Sequence, residues 1–244
     1  MSSVQSRANA SAKPGGIGTM RERSLHAALK DWYARPSDRL EAAVDGYWVD
    51  IVRGDLLIEI QTGNFSSLKR KLATLTERHP VRLVYPIAQE KWIVRLASNG
   101  LDRLSRRKSP KRGNLMHVFE ELVSIPDLLA NANFSLEVLL IREEEIRRRH
   151  PRGRWRRGGW GTHDRALLEV VERIRLRCPS DFRALLPAGL PDPFTTADLG
   201  RAIGEPRYLA QKMGYCLRKM KAVGVVGKRA NAWLYSRDVC GTGG

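Results

Sequence analysis

Two apolar runs, residues 47–53 and 56–61, flank a glycine and an aspartate, and this pattern predicts a β-hairpin. Gly54-Asp55 is a favoured two-residue hairpin loop. With that loop, the register places Asp50 directly opposite Glu59, with their Cβ atoms roughly 5 Å apart. Two facing carboxylates repel each other. Such a pair is most easily tolerated when a divalent cation lies between the carboxylates or when one of them stays protonated.

The simplest alternative is a solvated sheet face, on which each carboxylate pairs with one of the chain's many arginines. The neighbouring residues argue against it, because Trp48, Val52 and Leu57 share the face of the acid pair and the other face is largely apolar. Gln61 lies on the acidic face as well, two residues beyond Glu59. We therefore expect both faces to be covered, and a buried acid needs a partner or a metal.

Helical and strand patterns on both sides of the hairpin predict an α/β domain whose sheet is flanked by helices. Apolar residues recur at helical spacing over 23–34 and over 65–78. Further strands are predicted at 81–87, 91–96 and 134–141. Six basic residues fall within positions 103–112, and the Ser, Pro and Gly among them predict an exposed basic loop.

From residue 162 onward the pattern changes to a compact helical unit that ends in a second hairpin. Helices are predicted at 164–176, at 195–203 and from Pro206 to about Val223, followed by a hairpin from Gly224 onward. Helix, turn, helix and hairpin together resemble a winged helix-turn-helix domain over residues 162–238. A module for dimerisation or protein binding is the alternative.

Nucleic-acid contacts are expected from two parts of the chain. In winged-helix domains the second helix enters the major groove and the wing touches the backbone or the minor groove. The resemblance therefore implies a reading side of Arg207, Gln211, Lys212, Tyr215, Arg218 and Lys219, and a wing tip of Lys228 and Arg229. Seven arginines also lie between positions 147 and 157, with Trp155 among them, and such a mixture can pair with phosphates and stack on bases. The candidates in this second segment, which could alternatively be a flexible linker, are Arg152, Arg154, Arg156 and Arg157.

The composition supports a polyanionic partner. The chain of 244 residues carries a formal charge of +17. It has no apolar run of about 18 residues and no secretory leader pattern, so nucleic acid is favoured over a membrane as the partner. Three scattered cysteines without C-x-x-C spacing predict a reducing, cytoplasmic location and argue against structural zinc.

Asp50, eight intervening residues and then Glu59-Ile60-Gln61 resemble the signature of PD-(D/E)XK nucleases, the restriction-endonuclease-like enzymes. Gln61 stands where most members have lysine, as in a minority E-x-Q branch of the family. The resemblance covers about residues 20–90, including the helix before the hairpin and the basic helix after it. It implies a restriction-endonuclease-like mixed sheet flanked by helices.

The same resemblance implies a catalytic site. Asp50 and Glu59 would bind Mg²⁺, with Mn²⁺ as an alternative, together with the carbonyl of Ile60. Gln61 could only orient water or hydrogen-bond a phosphate oxygen. The positive charge that it lacks could come from either of two basic residues, Lys69 or Lys71, although both could instead lie on a solvated helix face. An acid that assists the metal could be either Glu22 or Glu41, and Glu22 could instead stabilise the first turn of its helix.

These patterns lead to one main hypothesis, a cytoplasmic, metal-dependent nuclease that acts on double-stranded DNA. The predicted organisation is a disordered segment at 1–19, a nuclease-like domain at 20–145, an Arg-rich linker at 146–161 and a winged helix at 162–238, with Met20 as a candidate start. Nucleases of this type often cut duplex DNA as dimers, so a homodimer is compatible with this hypothesis. The alternatives are a catalytically inactive DNA-binding regulator and an RNA-processing nuclease.

Overall fold

A mixed sheet of seven strands forms the centre of the described part of the chain. The computed structural model describes residues 25–97, 99–100, 102–149 and 159–238. The strands are β1 (Arg39–Val44), β2 (Tyr47–Arg53), β3 (Leu56–Ile60), β4 (Val81–Leu96), β5 (Arg103–Lys108), β6 (Phe134–Arg149) and β7 (Trp160–Leu176). Their order is β1-β2-β3-β4-β6-β7, and β5 pairs with β4. The pairs β3–β4 and β4–β6 are parallel and the others antiparallel, so the predicted α/β class with a mixed sheet is confirmed.

Helices cover both faces of this sheet. On one face lies α1 (Leu25–Tyr33), which buries Leu25, Leu29 and Tyr33 against apolar residues of the central strands. The other face carries α2 (Lys69–Thr76), α3 (Phe119–Leu122) and 3₁₀ turns at Phe65–Leu68, Leu115–Val118 and Pro126–Ala130. The helices predicted at 23–34 and 65–78 are confirmed where the chain is described, the second with a 3₁₀ first turn. No helix of the described segments is both long and apolar enough to cross a membrane.

Two stretches between 81 and 108 differ from the prediction. The strands expected at 81–87 and 91–96 form one strand, β4, because a bulge between Ala88 and Glu90 absorbs the polar interruption. Residues 103–108, expected as a basic loop, form β5 instead. All six residues of β5 are exposed, since this edge strand pairs through its backbone with β4 and needs no apolar face.

The largest correction concerns residues 164–176, which were predicted to be a helix but belong to β7. Apolar residues there recur at helical spacing, yet they pair antiparallel with β6. Register shifts at Leu140/Ile141, Arg142/Glu143 and Ile146/Arg147 break the alternation that would mark a regular strand. The predicted domain limits at 145/146 and 161/162 therefore fall inside β6 and β7, and the helical unit begins after Leu176.

The C-terminal unit contains the predicted helix, turn, helix and hairpin. Its elements are α4 (Pro179–Arg183), α5 (Thr196–Ile203), α6 (Arg207–Lys219), β8 (Gly224–Arg229) and β9 (Ala232–Ser236). A capping box of Thr195 and Asp198 begins α5, and Gly204 ends it with a φ of 68°. The buried side of α6 joins the same apolar cluster as Phe119 and Leu122 of α3. One continuous core therefore runs from the sheet into the C-terminal unit.

Candidate functional site

The β2–β3 hairpin has the predicted register. The paired residues are Ile51 with Ile58, Val52 with Leu57, and Arg53 with Leu56. Gly54 has a φ of 57°, which suits the first position of a type II′ hairpin loop. The pairing ends at Ile51 and Ile58, and one further step along the same register would place Asp50 opposite Glu59.

The Asp50 side chain replaces a backbone acceptor at the end of this ladder. Hydrogen-bonded pairs alternate along antiparallel strands, so the next one after Ile51 and Ile58 would join Val49 to Ile60. The N–H of Ile60 instead donates to Asp50 Oδ2 at 2.8 Å. This bond holds the Asp50 carboxylate against the backbone of the strand that carries Glu59.

The Glu59 carboxylate is 4% exposed and lies beside a lysine from α2. Lys71 Nζ is 2.5 Å from Glu59 Oε1, and it also donates to the carbonyl oxygen of Trp48. The contact to Glu59 is an ion pair without hydrogen-bond alignment, because Oε1 has no aligned donor among the described residues. Of the two lysines considered from the sequence, Lys71 reaches the acid pair, whereas Lys69 is exposed.

Helix α1 contributes a histidine that sequence reasoning did not assign to the site. His26 Nε2 lies 3.2 Å from Asp50 Oδ2. One turn later, Lys30 binds the carboxylate of Glu41. Glu41 is largely exposed and has a φ of 48°, at the point where β1 interrupts its pairing with β2. The four-residue spacing of His26 and Lys30 was the available signal, while Glu22 lies outside the described residues.

The two carboxylates have pKa values moved in opposite directions. Burial raises the pKa of Asp50, but hydrogen bonds from His26 and from the Ile60 N–H outweigh it, so the pKa lies below its ordinary value. Burial raises the pKa of Glu59, and its ion pair with Lys71 offsets this only in part. The negative charge of Asp50 raises the pKa of Glu59 further. The two carboxyl groups therefore differ in how readily they release a proton.

His26 is expected to titrate above pH 6.5, because its hydrogen bond to Asp50 favours the imidazolium form and outweighs burial. The pair then stabilises the fold below pH 6.5, and this contribution is lost as the pH rises through the folded-state pKa of His26. An NMR titration of the ring should show this raised pKa, and Asp50→Asn should lower it. Asp45→Asn, a change in an exposed turn, is the control. A wild-type pKa of 6.5 or less would contradict the geometry.

The Gln61 side chain is held by the loop that follows β3. Its Nε2 donates to the carbonyl of Gly63 at 2.5 Å and to that of Asn64 at 3.4 Å. The structure therefore brings Asp50, Glu59 and Lys71 together, and it engages the Gln61 amide with the loop backbone.

The oxygen donors at this site suit a hard divalent cation. Among the described residues, no group of three or more His, Cys, Asp or Glu side chains could hold a metal ion. The two carboxylates could still serve, since Mg²⁺ is often held by one or two carboxylates, with waters and substrate phosphate as the other ligands. Glu59 Oε1 is buried and has no aligned hydrogen-bond donor among the described residues, so such an ion would have to share or replace its ion pair with Lys71. Mn²⁺ takes the same ligands.

The predicted nucleic-acid contacts differ in their surroundings. Lys212 is half-buried rather than exposed, and its Nζ lies 3.4 Å from the carbonyl oxygen of Glu120, because α6 docks on α3. The Tyr208 hydroxyl donates to the Glu120 carboxylate at 2.9 Å in the same contact. Tyr215 is also half-buried. The exposed candidates are Arg207, Gln211, Arg218, Lys219, Lys228 and Arg229. The candidates Arg152, Arg154, Arg156 and Arg157 lie outside the described residues.

A second polar cluster lies on the α1 face around Glu137, which is 1% exposed. Its carboxylate accepts hydrogen bonds from the Tyr33 hydroxyl and from Arg173 Nε, each at 2.7 Å. Arg82 and Arg175 lie 3.7 and 3.3 Å from it. Sequence reasoning missed this cluster, because it requires residues 173 and 175 to share one face of a strand.

A comparison with protein families places the chain in one of them. The family described as "Domain of unknown function (DUF8091)" matches residues 23–177, which span α1 to the end of β7. A relative from Treponema pallidum (strain Nichols), described as "Uncharacterized protein", is 31% identical over 226 residues. This alignment covers 91% of the present chain and 88% of the relative. No solved structure matches the chain.

Proposed function

The chain belongs to the DUF8091 family, and from its own site we propose that it is a metal-dependent nuclease that hydrolyses phosphodiester bonds in DNA. The observation that carries the proposal is the proximity of two carboxylates, with His26 beside Asp50 and Lys71 beside Glu59, and with pKa values moved in opposite directions. Pairs of titratable groups whose environments separate their pKa values are frequent at catalytic sites. The net charge of +17 supports a polyanionic substrate.

In the proposed mechanism, Asp50, Glu59 and the carbonyl of Ile60 would hold Mg²⁺ or Mn²⁺. Binding of such an ion would supply activation of a water molecule and neutralisation of charge on the scissile phosphate. Lys71, which lies beside Glu59, could donate to a phosphate oxygen. His26 is a positioning residue, because its ring orients the Asp50 carboxylate. Gln61, tethered to the loop, can orient water from that side.

The C-terminal unit is proposed to be the DNA-binding module of this nuclease. Helix α5, helix α6 and the β8–β9 hairpin follow in the order of a winged helix, and the N–H and carbonyl of Phe194 pair with those of Tyr235 beside them. At the hairpin, Lys228 Nζ lies 4.5 Å from the ring centroid of Trp233, so a cation and an aromatic face are presented together. Because α6 docks on α3, contact with DNA would use its exposed residues and the hairpin. A cytoplasmic location and a homodimer belong to the same proposal.

A catalytically inactive DNA-binding protein is the second candidate. It is favoured by one observation, namely that Lys71 already neutralises Glu59 while the Gln61 amide is engaged elsewhere. Such a protein would bind DNA without metal and would not turn it over.

A substrate panel distinguishes these candidates. Duplex, single-stranded and branched DNA and RNA are incubated with the full chain in Mg²⁺, Mn²⁺ or EDTA. Cleavage of DNA in either metal, and none in EDTA, is expected. Cleavage of RNA alone would indicate an RNA-processing nuclease. Binding in EDTA without cleavage in any condition would indicate the inactive binder.

A further inference from the structure

We propose that β5 and the end of β4 form a second contact surface for the nucleic-acid backbone, in line with the acid pair. We call this surface the cationic edge. It consists of Arg103, Arg106, Arg107, Lys108 and Arg112, together with Trp92 of β4. The inference rests on the proposed function, because it extends the path of the same substrate.

The sheet topology places the cationic edge beyond the carboxylates on the same side of β4. Strand β6 pairs along one side of β4, while β3 and β5 share the other. Leu83 of β4 lies opposite Glu59, and Trp92 lies opposite Lys108. At about 3.3 Å per residue, with one bulge between them, these positions are roughly 25–30 Å apart. That distance corresponds to about eight base pairs of duplex DNA.

The charges on the cationic edge are not matched by its acids. Arg103 and Arg106 share one carboxylate, that of Glu144. Lys108 and Arg112 share the carboxylate of Glu90 with Arg142 of β6. Arg107 is exposed and forms no ion pair with another described residue. Positive charge therefore remains available to an external anion.

An aromatic ring lies among these cations. Arg106 and Lys108 lie over the ring of Trp92, with their charged groups 5.0 and 5.2 Å from its centroid. This packing orders two long side chains that lie two residues apart on the same face. Ordered cations lose less conformational entropy when they bind phosphates.

Protection of a sheet edge is the alternative explanation, since charged edge strands prevent pairing between molecules. Strand β7, at the opposite edge of the sheet, serves as the comparison for an edge strand that is only protected against pairing. Strand β7 carries three acidic and three arginine residues, a balanced set. Strand β5 carries three arginines and one lysine without an acid, a composition that repels other cationic molecules but also attracts polyanions. Contact with a nucleic-acid backbone explains why all the charged residues of β5 are positive.

The test compares two double variants of the full chain with equal loss of charge. Arg107→Gln with Lys108→Gln changes the cationic edge and leaves both Glu144 ion pairs intact. Arg35→Gln with Arg39→Gln changes exposed arginines near β1, which is separated from β4 by β2 and β3. Binding to duplexes of increasing length is measured by fluorescence anisotropy in EDTA at several salt concentrations, and thermal melting checks the fold of each variant.

In the Arg107→Gln/Lys108→Gln variant, the slope of log affinity against log salt concentration should be smaller in magnitude by about 2. Each phosphate contact releases about one counterion, and this variant loses two such contacts. Its affinity should also stop rising at a shorter duplex length than that of the wild type, while the control keeps the wild-type values. An unchanged slope in the edge variant, or an equal change in the control, would overturn the inference alone if the wild type still binds and cleaves. No binding of the wild type to any nucleic acid would overturn the proposed function as well.

Discussion

Asp50→Asn and Glu59→Gln should each lower DNA cleavage by at least about three orders of magnitude while duplex binding in EDTA persists. Each change removes a carboxylate charge and keeps the size of the side chain. Metal activation of water and phosphate contributes several kcal/mol to catalysis, and each 1.36 kcal/mol corresponds to about a tenfold change in rate. Cleavage rates under single-turnover conditions in Mg²⁺ give the measurement, with anisotropy in EDTA as the binding readout.

Two matched controls sharpen this expectation. Asp45→Asn removes an exposed carboxylate from the β1–β2 turn and should leave cleavage unchanged. Lys71→Ala should lower cleavage, whereas Lys69→Ala, two residues earlier on the exposed side of α2, should not. Wild-type cleavage by Asp50→Asn or Glu59→Gln would show that this pair is not the catalytic site.

Glu137→Gln should destabilise the fold by about 3 kcal/mol. Removing one partner of a buried ion pair leaves an uncompensated charge, which costs about 3–5 kcal/mol. The lower value applies because Arg173 and Arg175 are 46% and 34% exposed and can reach water. For a chain of this size, Tm should fall by roughly 6–12 °C in thermal denaturation. Glu169→Gln, whose carboxylate is 53% exposed, should change stability by less than about 1 kcal/mol.

The loss of stability caused by Glu137→Gln should depend on pH, because the Glu137 carboxylate titrates. Burial raises its pKa, but hydrogen bonds from Tyr33 and Arg173 outweigh that effect and leave the pKa below its ordinary value of 4.5. The carboxylate therefore stabilises the fold above pH 4.5, and this contribution is lost as the pH falls through the folded-state pKa. The difference in Tm between wild type and Glu137→Gln should narrow in the same range. Equal melting of the two proteins at pH 7 would show that the cluster contributes little to stability.

The parts of the site that sequence reasoning predicted are those defined by local chemistry. A two-residue loop at Gly54-Asp55 determines the hairpin register, and the register determines which residues face each other. His26 and Glu137 could not be assigned in this way. His26 meets Asp50 across 24 positions, and Tyr33 meets Glu137 across 104, so both contacts depend on how α1 packs against the sheet.

The secondary structure was predicted correctly where apolar residues recur at a regular spacing. Helices α1, α2, α5 and α6 carry clear apolar stripes. The apolar residues of β7 do not alternate as in a regular strand. Bulges in the pairing with β6 shift the inward-facing positions, so that their spacing resembles that of a helix. Strand β5 has no apolar pattern at all, since an exposed edge strand can form through backbone pairing without an apolar face.

The continuous core extends past the C-terminal limit of the family match. The family match ends at residue 177, one position after β7, yet the apolar cluster of the sheet continues into the helices beyond it. Phe182 of α4 packs edge-on against Phe119 at 6.4 Å, and α6 packs against α3. A chain cut at the family boundary would expose this surface to water. The sheet and the C-terminal helices should therefore unfold as one cooperative body.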